Sequence, residues 1–87
     1  MWGDTVFINK AKNGRNNFCG LNIAVYRKEM GISQRELADR LQLQGLDVDK
    51  NAVQRIECGK RFVTDIELIA LSKVLGRSYE ELLKVDE

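Results

Sequence analysis

Between Asp49 and Gly59 the sequence gathers Lys50, Asn51, Gln54 and Arg55, four side chains able to hydrogen-bond to the edges of nucleic-acid bases. Lysine and arginine donate to guanine O6 and N7, and the amides of Asn and Gln pair with adenine N6 and N7. From composition alone, a base-reading face and an ordinary wet helix face are equally open. The charge distribution bears on the choice. Residues 50–63 carry Lys50, Arg55, Lys60 and Arg61 against Glu57, a net +3, whereas residues 1–20, 21–49 and 64–87 carry +2, −1 and −3. Basic charge concentrated in one short segment is what a polyanion-binding face needs, although charged runs are more often only solvated surface.

Other chemistries find little support. The chain has no histidine, which removes the commonest general base, and its two cysteines, Cys19 and Cys58, cannot supply the four ligands of a structural zinc site. Nothing resembles a nucleophile–base pair, a glycine loop for phosphate or a metal cluster, so neither an enzyme nor a cofactor is expected. The 87 residues are enough for one domain, with 44% apolar and 31% charged residues, a soluble globular profile. No apolar run is long enough to span a bilayer. The first residues, with Asp4 and only the brief Val6-Phe7-Ile8 run, do not read as a secretory signal. A cytoplasmic protein with free thiols and no membrane contact is the expectation.

The elements that must position the basic segment are legible from residue 21 onward. Ile23, Tyr26 and Met30 mark one face of a first helix, closed by Gly31. Ser33 through Glu36 form a capping box, in which the hydroxyl accepts from the amide at Glu36 and the carboxylate reaches back. Leu37, Ala38 and Leu41 follow as the stripe of a second helix, with Gly45 as its stop. Asp49 is the N-cap type that opens a third helix, with Val48 ahead of it, Val53 and Ile56 facing inward, and Gly59 behind. A second box, Thr64 to Glu67, leads into Ile66, Ile69, Ala70, Leu71, Val74 and Leu75, closed by Gly76. A third box, Ser78 to Glu81, opens a short last helix with Leu82, Leu83 and Val85 inward. The prediction is an all-α bundle of about five short helices over residues 21–87. Residues 1–20 lack periodicity and read as a flexible N-terminal arm, with a short strand over Thr5 to Ile8. Lys10, Lys12 and Arg15 could trail into a minor groove or belong to a disordered leader, and Trp2 and Phe7 could pack on a partner subunit.

A compact helix, a connection and a second short helix with polar and basic groups at its start meet the physical specification of a helix-turn-helix reader. Here the residues carry a resemblance. The run from Arg27 to Ala38 resembles the first two helices of the Xre/Cro-C1 type of helix-turn-helix repressor, with its lambda-repressor-like fold. The stretch from Asn51 to Arg61 resembles that family's recognition helix and the turn behind it, and Leu68 to Gly76 with Tyr79 to Leu83 resemble its closing helices. The resemblance spans residues 21–85. It implies that the helix near 49–57 enters the major groove, with Lys50, Asn51 and Arg55 at base-contacting positions and Gln54 beside them. It implies phosphate contacts from Gln34, Lys60 and Arg61, and a structural ion pair between Arg27 and Glu57. Two features depart from the family pattern. Cys58 stands where the family commonly has Asn, and the connection from Leu41 to Asp49 is about five residues longer than the common form. Leu43 and Leu46 are expected to fold back on the core, and Asp47 and Asp49 to penalise loose binding near phosphates.

The function expected is that of a sequence-specific transcriptional regulator, a repressor, bound to double-stranded DNA as a homodimer. Its half-sites would lie roughly 10 bp apart, and the dimer contact would use the last helices or the N-terminal arm. The alternative is a protein-interaction module, or an antitoxin with a small protein partner, using the acidic last third and an edge at Leu82, Leu83 or Val85.

Overall fold

Each of the three Ser/Thr-x-x-Glu boxes opens a helix, because its two side chains satisfy amides that the first turn leaves without partners. The computed structural model describes residues 10–85, and five α-helices account for most of them: α1 (Cys19–Glu29), α2 (Gln34–Leu43), α3 (Lys50–Glu57), α4 (Asp65–Leu75) and α5 (Tyr79–Leu82). Ser33, Thr64 and Ser78 each accept from the amide three residues on, and Glu36, Glu67 and Glu81 each return the bond. The five helices form the all-α bundle expected, and no strand occurs among the described residues. The strand expected over Thr5 to Ile8, and Trp2 and Phe7, lie outside the described residues.

All five helices supply one core. Ile23 of α1, Leu37 and Leu41 of α2, Val53 and Ile56 of α3, Leu71 of α4 and Leu82 of α5 are its largest fully buried side chains. Burying each is worth roughly 1.5–3 kcal/mol, so the core that carries α3 is a shared one rather than a pairwise contact. Both α1 and α2 pack on α3, and α4 closes the opposite side against the same two helices.

Several apolar residues expected inside are outside. Met30 is the C-cap of α1, and the inward place one turn after Ile23 belongs to Arg27, which is 9% exposed. On α4, Ile66 and Ile69 are exposed; Ile69 lies two residues before Leu71 and therefore on the far side of the helix. Leu43, the last residue of α2, is 87% exposed, while Leu46 packs partly against the core. Leu83 and Val85 are half-exposed because α5 is one turn long and only Leu82 points inward.

The N-terminal segment also departs from the sequence reading. Residues 11–20 are tied to the body rather than trailing as an arm. Ala11 to Arg15 form a turn closed by two backbone bonds, Asn16 N–H donates to Gly59 O at 2.8 Å, and α1 already begins at buried Cys19 and Gly20. Asn17 Oδ1 accepts from Gly20 N–H at 2.8 Å, supplying the side-chain cap that Phe18 does not provide.

Candidate nucleic-acid interface

The presentation of α3 begins with its cap. Asp49 is extended and its carboxylate accepts from Ala52 N–H at 2.8 Å, so the helix starts at Lys50. Just ahead, Val48 is buried and its carbonyl accepts from Gln42 Nε2 at 2.8 Å, pinning the long connection back to α2. Val53 and Ile56 turn inward. At 100° per residue, Lys50, Asn51, Gln54 and Arg55 fall within an arc of about 140° centred opposite those two. All four are exposed, and none forms an ion pair among the described residues. They form a face of donors and acceptors left to the solvent.

The far end of α3 is held by a buried fork. Arg27 Nε donates to Glu57 Oε2 at 2.6 Å and Nη2 to Oε1 at 3.0 Å, while Nη1 donates to Ile32 O at 2.8 Å. The hydrogen bond to Glu57 raises the Arg27 pKa against the opposing effect of burial, so the guanidinium stays charged. Gln34 Nε2 also donates to Glu57 Oε1, at 3.0 Å. One carboxylate thus joins α1 and α3 and orients the first side chain of α2. This places Arg27 and Glu57 where the ion pair was expected, and Gln34 half-buried beside it.

Behind the helix, Cys58 is the C-cap and Gly59 takes φ +80°. Lys60 N–H donates to Arg55 O at 2.9 Å and Gly59 N–H to Ile56 O at 3.1 Å, the paired bonds of a Schellman turn. Lys60 is exposed. Arg61, expected beside it as a phosphate contact, is engaged by a carboxylate: Nη1 and Nη2 donate to the two oxygens of Glu67 at 3.0 and 2.8 Å. That hydrogen bond raises the Arg61 pKa. For Glu67, burial pushes upward, but the bonds from Arg61 and Thr64 outweigh it and hold the carboxyl below its ordinary range. Arg61 therefore locks the turn to α4, its planar fork matched to a carboxylate already present. The Cys58 thiol is free and exposed and faces back to Arg55 O at 3.6 Å; Cys19 is free and buried.

Sequence reasoning missed Arg15, Asn16 and Asn17 as parts of this site. Arg15 Nη2 donates to Glu57 O at 2.7 Å, at the electronegative end of α3. Asn16 Nδ2 donates to Lys60 O at 3.1 Å and Asn17 Nδ2 to Arg61 O at 2.7 Å. Side chains bonding to distant carbonyls leave no periodic trace in a sequence. Arg35 was missed too; it lines a polar groove with Asp39, Gln42, Asp49 and Lys50 where α2 meets the start of α3.

Among the described residues no group of three or more His, Cys, Asp or Glu side chains could hold a metal ion, and no helix is long and apolar enough to cross a membrane. No curated protein and no solved structure gives a significant match. A helix-turn-helix family model, that of the Xre/Cro-C1-type DNA-binding regulators, matches residues 23–82, from the buried Ile23 of α1 to Leu82 of α5. With that span covering well over half of the chain, and with α3 capped, anchored at both ends and presenting an open polar face, this protein belongs to the Xre/Cro-C1-type helix-turn-helix family.

Proposed function

We propose that this regulator is a sequence-specific repressor that acts in the cytoplasm and inserts α3 into the major groove of an operator. The observation that carries the reading is the open face of Lys50, Asn51, Gln54 and Arg55 on a helix whose other side is core. An α-helix with its side chains is about 10–12 Å across, and the major groove is about 12 Å wide, so the whole face can reach base edges. Lys60 grips a phosphate from the turn behind α3. Gln34 reaches another from the start of α2, with Glu57 holding one of its amide hydrogens and leaving the rest of the amide free. Occupancy of a promoter is enough to block transcription, so repression requires no further surface.

The protein binds an inverted repeat as a homodimer. Half-exposed Phe18 and Leu83 line an apolar groove with Val63 and Leu68, and Ile66 and Ile69 add exposed apolar surface on α4. The same surface is what favours the second reading, a small protein partner; co-purification of a stable partner with no salt-sensitive DNA binding would decide for it.

Selection from a random duplex pool with the purified protein tests the leading reading, and a shared motif with two-fold symmetry is expected. On that motif, Arg55→Ala relaxes preference at one base position. Lys60→Ala weakens selected and random duplexes alike and lowers the salt slope. Recovery of no shared motif overturns sequence-specific binding.

A further inference from the structure

The turn behind α3 leaves open the carbonyls of Glu57, Gly59, Lys60 and Arg61, and residues 15–17 take up all four. Arg15 Nη2 holds Glu57 O, the Asn16 backbone N–H holds Gly59 O, Asn16 Nδ2 holds Lys60 O, and Asn17 Nδ2 holds Arg61 O, at 2.7 to 3.1 Å. Asn17 Nδ2 also reaches Ile56 O at 3.1 Å. Arg15 lies flat against Gly59: a Cβ there would sit 2.7 Å from its Cζ and 2.8 Å from its Cγ and Nε. These contacts all grip the backbone of the turn, while the Lys60 side chain remains exposed.

We infer that Arg15, Asn16 and Asn17 are positioning residues for DNA binding, which act through the Gly59–Arg61 turn by fixing where Lys60 presents its ammonium to a phosphate. This rests on the DNA-binding reading above. A turn whose carbonyls are held in place meets the phosphate without first having to be ordered, and releasing those carbonyls forfeits that preorganisation. The segment that the sequence offered as a minor-groove arm works instead from behind the recognition helix.

The test uses the neutral members of the clasp. Asn16→Ala and Asn17→Ala remove no charge, so in variants whose oligomeric state by sedimentation equilibrium matches wild type the slope of log K against log salt changes only if another residue loses its phosphate. We expect a slope shallower by about 0.9 per protomer, about 1.8 for the bound dimer, on selected and random duplexes, the equivalent of one phosphate contact in each half. Affinity falls by about threefold to tenfold at a temperature where circular dichroism shows the native helices. Lys60→Ala gives the same loss of slope, and Asn17→Ala added to Lys60→Ala changes the slope no further. Asn16→Ala carries the test should Asn17→Ala unfold: its Oδ1 is buried without a partner, so truncation also removes an unsatisfied oxygen. Wild-type slopes in both Asn variants, or losses that add in full to that of Lys60→Ala, overturn the positioning role while leaving DNA binding intact. A wild-type protein with no salt-dependent binding to any duplex overturns the DNA-binding reading, and the positioning role with it.

Discussion

Removing Arg27 tests whether the fork at Glu57 is a buried interaction or a surface one. The two side chains are 11% and 8% exposed, so little water reaches the pair to replace a lost partner. Arg27→Met strips two charge-assisted bonds from Glu57 and the bond to Ile32 O, and leaves the carboxylate with the Gln34 amide alone. Exposed pairs are worth about 0–1 kcal/mol, whereas breaking a buried one by deleting a single partner costs about 3–5 kcal/mol. For a small domain each kcal/mol lowers Tm by roughly 4–8 °C, so a fall of about 20 °C is expected, against a total stability of only about 5–15 kcal/mol. Arg27→Met/Glu57→Met removes both charges together and should recover most of that loss, short of about 1–3 kcal/mol for the orphaned Ile32 carbonyl. Urea unfolding of wild type, both singles and the double variant at pH 7 closes the cycle. A single-variant cost under about 1 kcal/mol, or singles that simply add, would show that Glu57 is solvated after all and that the fork does not anchor α3.

Acid should act through Glu67. Its folded carboxyl titrates below the ordinary value of 4.5, so the unfolded chain binds the extra proton, and stability present above that pH is lost as pH falls through the folded value. Acid unfolding followed by circular dichroism should steepen below pH 4.5, and Arg61→Ala should flatten that dependence; an unchanged profile would count against the Arg61–Glu67 bond. The cysteines provide a footprint. Burial pushes the Cys19 thiol up to about 11, so a maleimide at pH 7 should label exposed Cys58 first, and saturating operator DNA should slow that labelling. Equal rates with and without operator would place the end of α3 away from the duplex. Two glycines separate backbone strain from collision. Gly31 and Gly59 have φ of +72° and +80°, but only at Gly59 would a Cβ meet Arg15. Gly31→Ala should cost about 1–2 kcal/mol in urea unfolding and Gly59→Ala more, with Arg15→Ala restoring part of the excess. Equal costs would mean that Arg15 yields freely.

Much of the fold was legible because its helix starts depend on neighbours within four residues. Ser33 with Glu36, Thr64 with Glu67, Ser78 with Glu81, and Asp49 alone each declare an N-terminus from local chemistry. Which apolar residues face inward is less local. α4 carries more apolar side chains than one stripe can hold, and only the packing of α1, α2 and α5 selects Ala70, Leu71 and Leu75 over Ile66 and Ile69. The site divides in the same way. The face of Lys50, Asn51, Gln54 and Arg55 follows from helical spacing, whereas the engagement of Arg61 by Glu67 depends on where the turn places two groups six residues apart. The clasp of residues 15–17 spans more than 40 residues of sequence and had no local sign.

The length of α3 explains why so much structure is spent at its two ends. Its eight residues make barely two turns, and isolated helices shorter than about 12–15 residues are marginal in water. A helix this short takes its rigidity from what surrounds it. At its start, the Asp49 cap, buried Val48 and the bond from Gln42 fix the first turn, so the long connection can bulge without moving Lys50 and Asn51. Longer loops cost little to close, about 0.6 kcal/mol per doubling, so the extra residues need no compensation in the core. At its end, Arg27 holds the Glu57 side chain while Arg15 holds the Glu57 carbonyl, so one residue is fixed from α1 and from the segment that precedes α1. Gly20 makes this double grip possible, since a Cβ there would collide with the Ile56 carbonyl, Asn17 and Arg15. The N-terminal segment, the first helix and the end of α3 therefore form one unit, and the exposed polar face of α3 is held by that unit.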